Sequence, residues 1–466
     1  MKKYIGFICS GPLIVLLSFI GYSCANIIPP TGGPRDSLPP VLISATPKDS
    51  TVNFNSSRIT LNFDEYIDLK EVQNNLLFTP LFETVPVVEV KLKTVTVRIR
   101  DTLEPNTTYT FDFGNAVTDV NENNPFRHYT YVFSTGPYID SLQLSGRVLL
   151  AENGKTDSTL TIVLHKEFND SAVVKNRPRY AARVDSSGYF RFRNLPRDSF
   201  AIYAIGEAGI MRRYTSATQF FAFGDTPVVS GDTASIILYA YKEEDKKPQK
   251  LATSTGATPS AADKRLRYSH NLSSGQQDLL NDLVISFERP LRNFDSTKLL
   301  LSTDTSYTPV PVYTILQDTT KKEIHLKTAW RQGTQYHLII DKEFAEDTLG
   351  RKFTNHDTLN FATRKTTDYG KLDIRIRNID TAQNPVLQFV QSEKVVFSIP
   401  IKSGRYIQNL FSPGDYDLRI LYDRNNNIKW DPGQFFEGRK QPEIVIPITQ
   451  KITVKPDWDN EFERGL

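Results

Sequence analysis

Ile59-Thr60-Leu61-Asn62-Phe63-Asp64 alternates apolar and polar side chains at a period of two, and Leu283-Val284-Ile285-Ser286-Phe287-Glu288 repeats the pattern at the same phase far downstream. Only a strand places alternate side chains on one face, so both segments read as half-buried strands. The correspondence continues: Pro105-Asn106-Thr107-Thr108-Tyr109-Thr110-Phe111 answers to Gln332-Gly333-Thr334-Gln335-Tyr336-His337-Leu338. The spacing from Asp119 to Phe133 equals that from Asp347 to Phe361. A repeat of this length is the size of a small domain, and it predicts two copies at residues 38–136 and 266–364.

A second kind of unit follows each copy. Leu144-Ser145-Gly146-Arg147-Val148 opens a run through Asp185-Ser186-Ser187-Gly188 and Asn194-Leu195-Pro196 to the strand Phe200-Ala201-Ile202-Tyr203-Ala204. Lys402-Ser403-Gly404-Arg405-Tyr406, Asn409-Leu410-Phe411-Ser412-Pro413-Gly414 and Tyr416-Asp417-Leu418-Arg419-Ile420 follow in the same order near the C-terminus. Asp-x-x-Gly and Pro-Gly between alternating runs are hairpin signals. These units are expected at 137–241 and 365–466. With 28 Phe, 21 Tyr, 27 Pro and 24 Gly, the chain is rich in strand formers and turn residues, and no long stretch has helical periodicity. The expected fold is all-β, a tandem array of four small β-sandwiches with little helix.

Leu103-Glu104-Pro105-Asn106-Thr107-Thr108-Tyr109 has the form of a tyrosine corner, in which the phenol reaches back to a backbone group where the chain crosses between sheets. Tyr109 and its counterpart Tyr336 are the candidates, and the alternative is plain cross-strand packing. Two segments read as linkers. Residues 24–37, with Pro29-Pro30-Thr31-Gly32-Gly33-Pro34, can bury little and are expected to be an extended tether. Residues 242–265, with Lys242-Glu243-Glu244-Asp245-Lys246-Lys247 and then Ala, Thr, Ser and Gly, are expected to be a flexible joint.

Lys2 and Lys3 precede an apolar run from Ile5 to Ile20, the pattern of an export signal rather than a membrane span, since Pro and Gly follow so soon. Gly21-Tyr22-Ser23-Cys24 resembles a lipobox, although Gly21 stands where Leu is usual. The resemblance implies a lipoprotein signal peptide over 1–23, cleavage before Cys24 and acylation of its thiol (diacylation, with palmitate-type chains). The alternative is ordinary cleavage nearby. The net charge is +3, and subtracting Lys2 and Lys3 leaves +1 on the mature chain. Such a balance, with scattered Lys and Arg, argues against nucleic acid as a partner. The two cysteines are Cys9, inside the signal, and Cys24, so no disulfide is expected in the mature domains.

Cys24-Ala25-Asn26-Ile27 followed by Pro30-Thr31-Gly32-Gly33-Pro34-Arg35-Asp36 resembles the N-terminus of Ig-like-domain lipoproteins of Bacteroidota. The units at 38–136 and 266–364 resemble the bacterial Ig-like domain of the SbsA type, the second being divergent. Those at 137–241 and 365–466 resemble transthyretin-like or carboxypeptidase-regulatory-like sandwiches. The resemblance implies an outer-membrane lipoprotein. With no acidic residue in Ala25-Asn26-Ile27-Ile28 it implies a periplasm-facing one, with surface display as the alternative. It also implies O-glycosylation at some Asp-Ser or Asp-Thr sites, such as Ser37, Ser50, Thr102, Ser158, Thr233, Thr348, Thr358 and Thr381; these dipeptides are also ordinary turn residues.

The most pointed polar cluster is Asp423-Arg424-Asn425-Asn426-Asn427-Ile428-Lys429-Trp430-Asp431. Asp423, Asn425, Asn427 and Asp431 match positions 1, 3, 5 and 9 of a calcium loop. Ile428 stands where Gly is required, and Gln434 where a bidentate Glu is usual. An Asx-rich turn anchored by Trp430 is the competing reading. Apart from this candidate calcium, no cofactor is expected. Six dispersed histidines make no metal pair, and Gly-x-Ser-x-Gly and phosphate-loop motifs are absent, so no enzyme activity is expected. Trp330, Trp430 and Trp458 are candidates for a glycan platform, or for core anchors, with Trp458 expected to close the last sandwich. The function expected is a non-enzymatic, lipid-anchored envelope protein acting as a structural or protein-interaction module, or alternatively a glycan or peptidoglycan binder.

Overall fold

The computed structural model describes residues 36–209, 211–243, 265–304 and 306–466. The signal segment, Cys24 and most of the 242–265 joint lie outside them. The fold is all-β, and the chain divides into two compact units, one ending at Asp140 and the other starting at Ser141.

In the first unit, strands Leu42–Thr46, Arg58–Phe63, Thr94–Arg98 and Val87–Lys91 lie side by side in that order, all antiparallel. A second sheet runs Leu77–Thr79, Thr108–Asp112, Thr130–Ser134, and a short ribbon pairs Ile67–Leu69 with Val117–Asp119. The alternation seen in the sequence is the packing: Ile59, Leu61 and Phe63 are buried, whereas Thr60 and Asn62 between them are only half-buried. Phe111 and Phe133 meet edge to face at 5.4 Å in the middle of this core, and Tyr109 stacks on Phe133 at 5.2 Å. Each such ring contributes about 1.5–3 kcal/mol by burial.

The second unit holds three sandwiches. In the first to be matched with the repeat, Tyr268–His270, Leu283–Phe287, Glu323–Lys327 and Thr314–Gln317 reproduce the four-strand order, antiparallel throughout. Leu299–Ser302, Gln335–Ile340 and Asp357–Thr363 reproduce the facing sheet, and Leu291–Phe294 with Ala345–Asp347 the ribbon. The sequence repeat is therefore a repeat of topology.

The other two sandwiches, called B1 and B2 here, share a different plan. B1 has the sheet Tyr189–Leu195, Leu142–Leu150, Ile236–Ala240, and B2 has Arg405–Phe411, Gly370–Arg377, Asp459–Gly465. In each, the first strand of the module pairs in parallel with the last. Gly146 is required by that pairing, because a Cβ there would lie 2.2 Å from the Ile236 carbonyl oxygen. The facing sheets run Tyr180–Arg183, Thr161–His165, Ser199–Ile205, Phe221–Phe223 in B1 and Lys394–Pro400, Pro385–Gln391, Gly414–Tyr422, Ile444–Val454 in B2. Each encloses its own core, around Ile162, Phe190 and Phe200 in B1 and around Leu387, Phe389 and Phe411 in B2.

B1 and B2, which are distant in the chain, pack directly against each other. The Val445 N–H donates to the Ala151 carbonyl at 2.9 Å, and Lys155 pairs with Glu393 at 2.7 Å. One expectation about the tryptophans needs correction. Trp330 packs on the core beside Tyr336 and Phe361, and Trp430 packs against Val386, Leu421 and Val445, but Trp458 is 61% exposed and closes nothing. It sits in the turn between the strands Ile444–Val454 and Asp459–Gly465, outside the B2 core, to which those strands contribute Ile452, Val454 and Phe462.

Candidate functional site

The segment between the strands Gly414–Tyr422 and Ile444–Val454 leaves the B2 sheet as a loop and then a hairpin, and it carries the most concentrated polar chemistry in the described residues. Asp423 is 1% exposed, and its carboxylate accepts N–H bonds from Asn425, Asn426 and Ile428. The Asn425 and Asn427 side-chain oxygens accept from Asn427 and Lys429 N–H at 3.0 and 2.7 Å. Their amide nitrogens both donate to the Asp431 carboxylate. Asp423, Asn425, Asn427 and Asp431 are thus brought together, with their oxygens turned to backbone donors and their amide nitrogens turned inward. Ile428 holds the turn in left-handed conformation at φ 64°.

Glu443, which no local pattern singles out, completes this cluster. It is 2% exposed and accepts from Arg424 and Asp431 N–H at 2.8 and 3.1 Å. Burial pushes its carboxyl above the usual range, the two N–H donors offset part of that, and Asp423 and Asp431 add to the rise. Trp430 Nε1 donates to the Glu443 carbonyl at 2.8 Å, which fixes the loop to the sheet below. Among the described residues no three His, Cys, Asp or Glu side chains are grouped so as to hold a metal ion.

Beyond Asp431 the hairpin closes with paired bonds between Gln434 and Lys440 and reaches B1. Phe435, fully buried, enters a nest of B1 rings: Phe223 at 4.9 Å, Phe221 at 5.1 Å and Tyr203 edge-on at 5.8 Å. Phe436 stacks beside Tyr214 at 6.3 Å. Gly433 passes over Tyr241 so closely that a Cβ would meet the ring at 2.5 Å. Arg439 lies 5.1 Å from the Phe435 ring and 5.2 Å from Phe223, pairs with Asp170, and donates to the Gly224 carbonyl at 2.7 Å. Gln441 donates to the Phe223 carbonyl and to Asp225 at 3.0 and 2.8 Å. Nothing in the local pattern of this segment signals such docking except two adjacent phenylalanines in a Pro-Gly-rich loop, an apolar pair that water alone would not hold. Behind the nest, His165 is wholly buried in B1, edge-on to Tyr203 at 5.7 Å, and neither ring nitrogen has a hydrogen-bond partner. Desolvation brings its pKa down to about 4, with Glu167 opposing weakly.

The two corner candidates differ in quality. The Tyr109 hydroxyl accepts from the Glu104 N–H at 2.9 Å, five residues back, and the Tyr336 hydroxyl from the Arg331 N–H at 3.3 Å. Both phenols are buried. Asp119, which heads the shorter Asp-Asn loop, is 1% exposed and accepts from Glu122, Asn123 and Asn124 N–H. Of the Asp-Ser and Asp-Thr positions, Ser37, Ser50, Thr102, Ser158, Thr233, Thr348 and Thr381 are exposed, and Thr358 is half-buried.

Residues 36–135 match the family model of a bacterial Ig-like domain. Comparison with curated proteins gave no match. Among solved structures, the chain is similar to the N-terminal part of the bacterial S-layer protein SbsC, at 16% identity over 45% of each chain with a TM-score of 0.16. It is similar to the Bacillus anthracis TIE protein at 11% identity over 93% of this chain and 75% of that one, with a TM-score of 0.17. It also matches BcpA, the major pilin subunit of Bacillus cereus, at 11% identity over 69% and 99%, with a TM-score of 0.17. This chain spans less than half of the first SbsC chains it matches.

Proposed function

We propose that this chain is a non-enzymatic, lipid-anchored protein of the cell envelope whose sandwiches act as a structural or protein-interaction module. Cys24 carries the anchor in this reading, and residues 24–37 the reach from the membrane. The observation that supports the module part is the Phe435 hairpin. It spends a fully buried ring, an ion pair and several hydrogen bonds on locking B1 to B2 rather than on lining a cleft. A body stiffened in this way holds the surfaces of its sandwiches at fixed spacing, which is what a spacer or a docking platform needs. The outer membrane, facing the periplasm, is the proposed location, with surface display as the alternative.

The test has two parts. Cys24→Ser is expected to abolish acyl labelling and to move the protein from the membrane fraction to the soluble one. A variant that is still labelled and membrane-bound refutes the anchor. Crosslinking of the anchored protein in cells, followed by mass spectrometry, is expected to return envelope proteins attached through the sandwich surfaces.

A further inference from the structure

The turn that carries Trp458 borders an open groove of about 630 Å³, formed where the segment Thr366–Tyr369 leads into the B2 strand Gly370–Arg377. Trp458 contrasts with the other two tryptophans. Trp330 and Trp430 are packed and donate their indole N–H groups to the Asn281 and Glu443 carbonyls, whereas Trp458 is 61% exposed and its N–H has no protein acceptor among the described residues. Lys455 Nζ lies 4.8 Å from its ring centre and covers part of it, and the remainder is open to the groove. An exposed indole offers a broad, rigid apolar face with a polar N–H at its edge, a surface on which a flat apolar face can stack.

The other lining groups define what that face belongs to. The Thr367 hydroxyl, the Asn409 amide and the Asp457 carboxylate line the groove, and none has a hydrogen-bond partner among the described residues. Asp457 stands in left-handed conformation at φ 57°, in the turn before the last strand. Lys371 pairs with Asp459 at 3.4 Å, which leaves Asp457 as the one lining charge without an ion pair, and Lys455 over the neighbouring ring supplies a cation beside the groove. A groove with one exposed ring, spare hydroxyl, amide and carboxylate groups, and no unbalanced cation fits a ligand that has an apolar face, a rim of hydroxyls and no negative charge of its own. The structure assigns this groove, we infer, to a neutral oligosaccharide, with one sugar ring stacked on Trp458 and its hydroxyls bonded to Asp457, Asn409 and Thr367. This goes beyond the scaffold reading and does not depend on it.

Titration calorimetry of the full chain with cellotetraose, chitotetraose, maltotetraose and mannotetraose tests the assignment, with polygalacturonate as the charged control. At least one neutral probe is expected to bind at millimolar concentration or below and to quench tryptophan emission. Trp458→Ala is expected to weaken it by about tenfold or more, Trp458→Phe to retain part of the affinity, and Asp457→Ala to weaken it severalfold. Since Trp458 is exposed, the melting temperature of Trp458→Ala should match the parent, which separates loss of binding from loss of fold. Binding that is unchanged in Trp458→Ala, binding only of polygalacturonate, or no binding by any neutral probe overturns the assignment. None of these outcomes bears on acylation of Cys24.

Discussion

Replacing Phe435 with Ala isolates the energy that holds B1 to B2. The ring belongs to neither sandwich core: the B1 cluster is built around Ile162, Phe190 and Phe200, the B2 cluster around Leu387, Phe389 and Phe411, and Phe435 is in neither. Its complete burial exists only in the docked state, against Tyr203, Phe221 and Phe223. Removing a fully buried Phe ring costs about 3–5 kcal/mol. Because both cores survive the substitution, the cost falls on docking, and the docked-to-undocked ratio should fall by roughly 10²–10⁴. Hydrogen exchange on the full chain reads this directly. The Val445 amide, bonded to the Ala151 carbonyl, and the hairpin amides of Gln434, Arg439 and Lys440 should exchange faster by about 10² or more, up to the limit set by the undocked state. Amides in Ile162–Val163 and Leu387–Phe389 should keep their protection. Unchanged exchange at the hairpin would refute the idea that Phe435 clamps the two modules. Equal acceleration in the two cores would show that the ring serves a common core instead.

Four further outcomes follow from the same structure. Tyr109→Phe leaves the Glu104 N–H without its 2.9 Å acceptor and should cost about 1–2 kcal/mol in urea unfolding, while Tyr336→Phe, losing a 3.3 Å bond, should cost less than half as much. His165 binds its proton with a pKa near 6.5 when unfolded but about 4 in the fold, so protonation favours the unfolded chain. Its contribution is therefore complete above pH 6.5 and lost as pH falls toward 4, by about 3 kcal/mol in all; the urea midpoint of the second unit should show this loss and His165→Phe should remove it. Gly146→Ala drives a methyl into the Ile236 carbonyl and should unpair the parallel strand, lowering stability by about 3 kcal/mol or more, whereas Gly209→Ala, with open space around it, should cost far less despite its φ of 58°. Adding millimolar calcium should leave the melting temperature unchanged, because Ile428 and Gln434 stand where a calcium loop needs Gly and a bidentate Glu, and no three carboxylates are grouped to hold a metal among the described residues; a rise that is reversed by chelator and abolished by Asp423→Asn would show that the loop rearranges around the ion.

The strands were legible because burial of one sheet face writes itself into the sequence at a period of two. Ile59, Leu61, Phe63 and their counterparts Leu283, Ile285, Phe287 are buried in the order the alternation requires. Turn chemistry was legible for a similar local reason: Asp185, Asp423 and Asp119 each bond to N–H groups within five residues. What was not legible is contact between segments far apart in the chain. Glu443 joins the Asp423 loop from the far side of a hairpin, and Phe435 meets Phe221 and Phe223 from another sandwich. A one-dimensional pattern records that a phenylalanine is apolar but not which surface covers it. The exposure of Trp458 was hidden in the same way, since a tryptophan beside a strand end reads the same whether it caps a core or faces water.

The parallel pairing in B1 has a mechanical consequence. Gly146–Leu150 and Ile236–Ala240 run in the same direction through five matched positions, one strand near the start of the module and the other at its end. Tension applied between the segments before Leu142 and after Ala240 therefore pulls these strands past each other along their length. Every bond of the ladder is strained at once, rather than opened one after another as in a hairpin pulled from its two free ends. A module loaded in this shear geometry should resist stretching far better than its equilibrium stability alone would suggest.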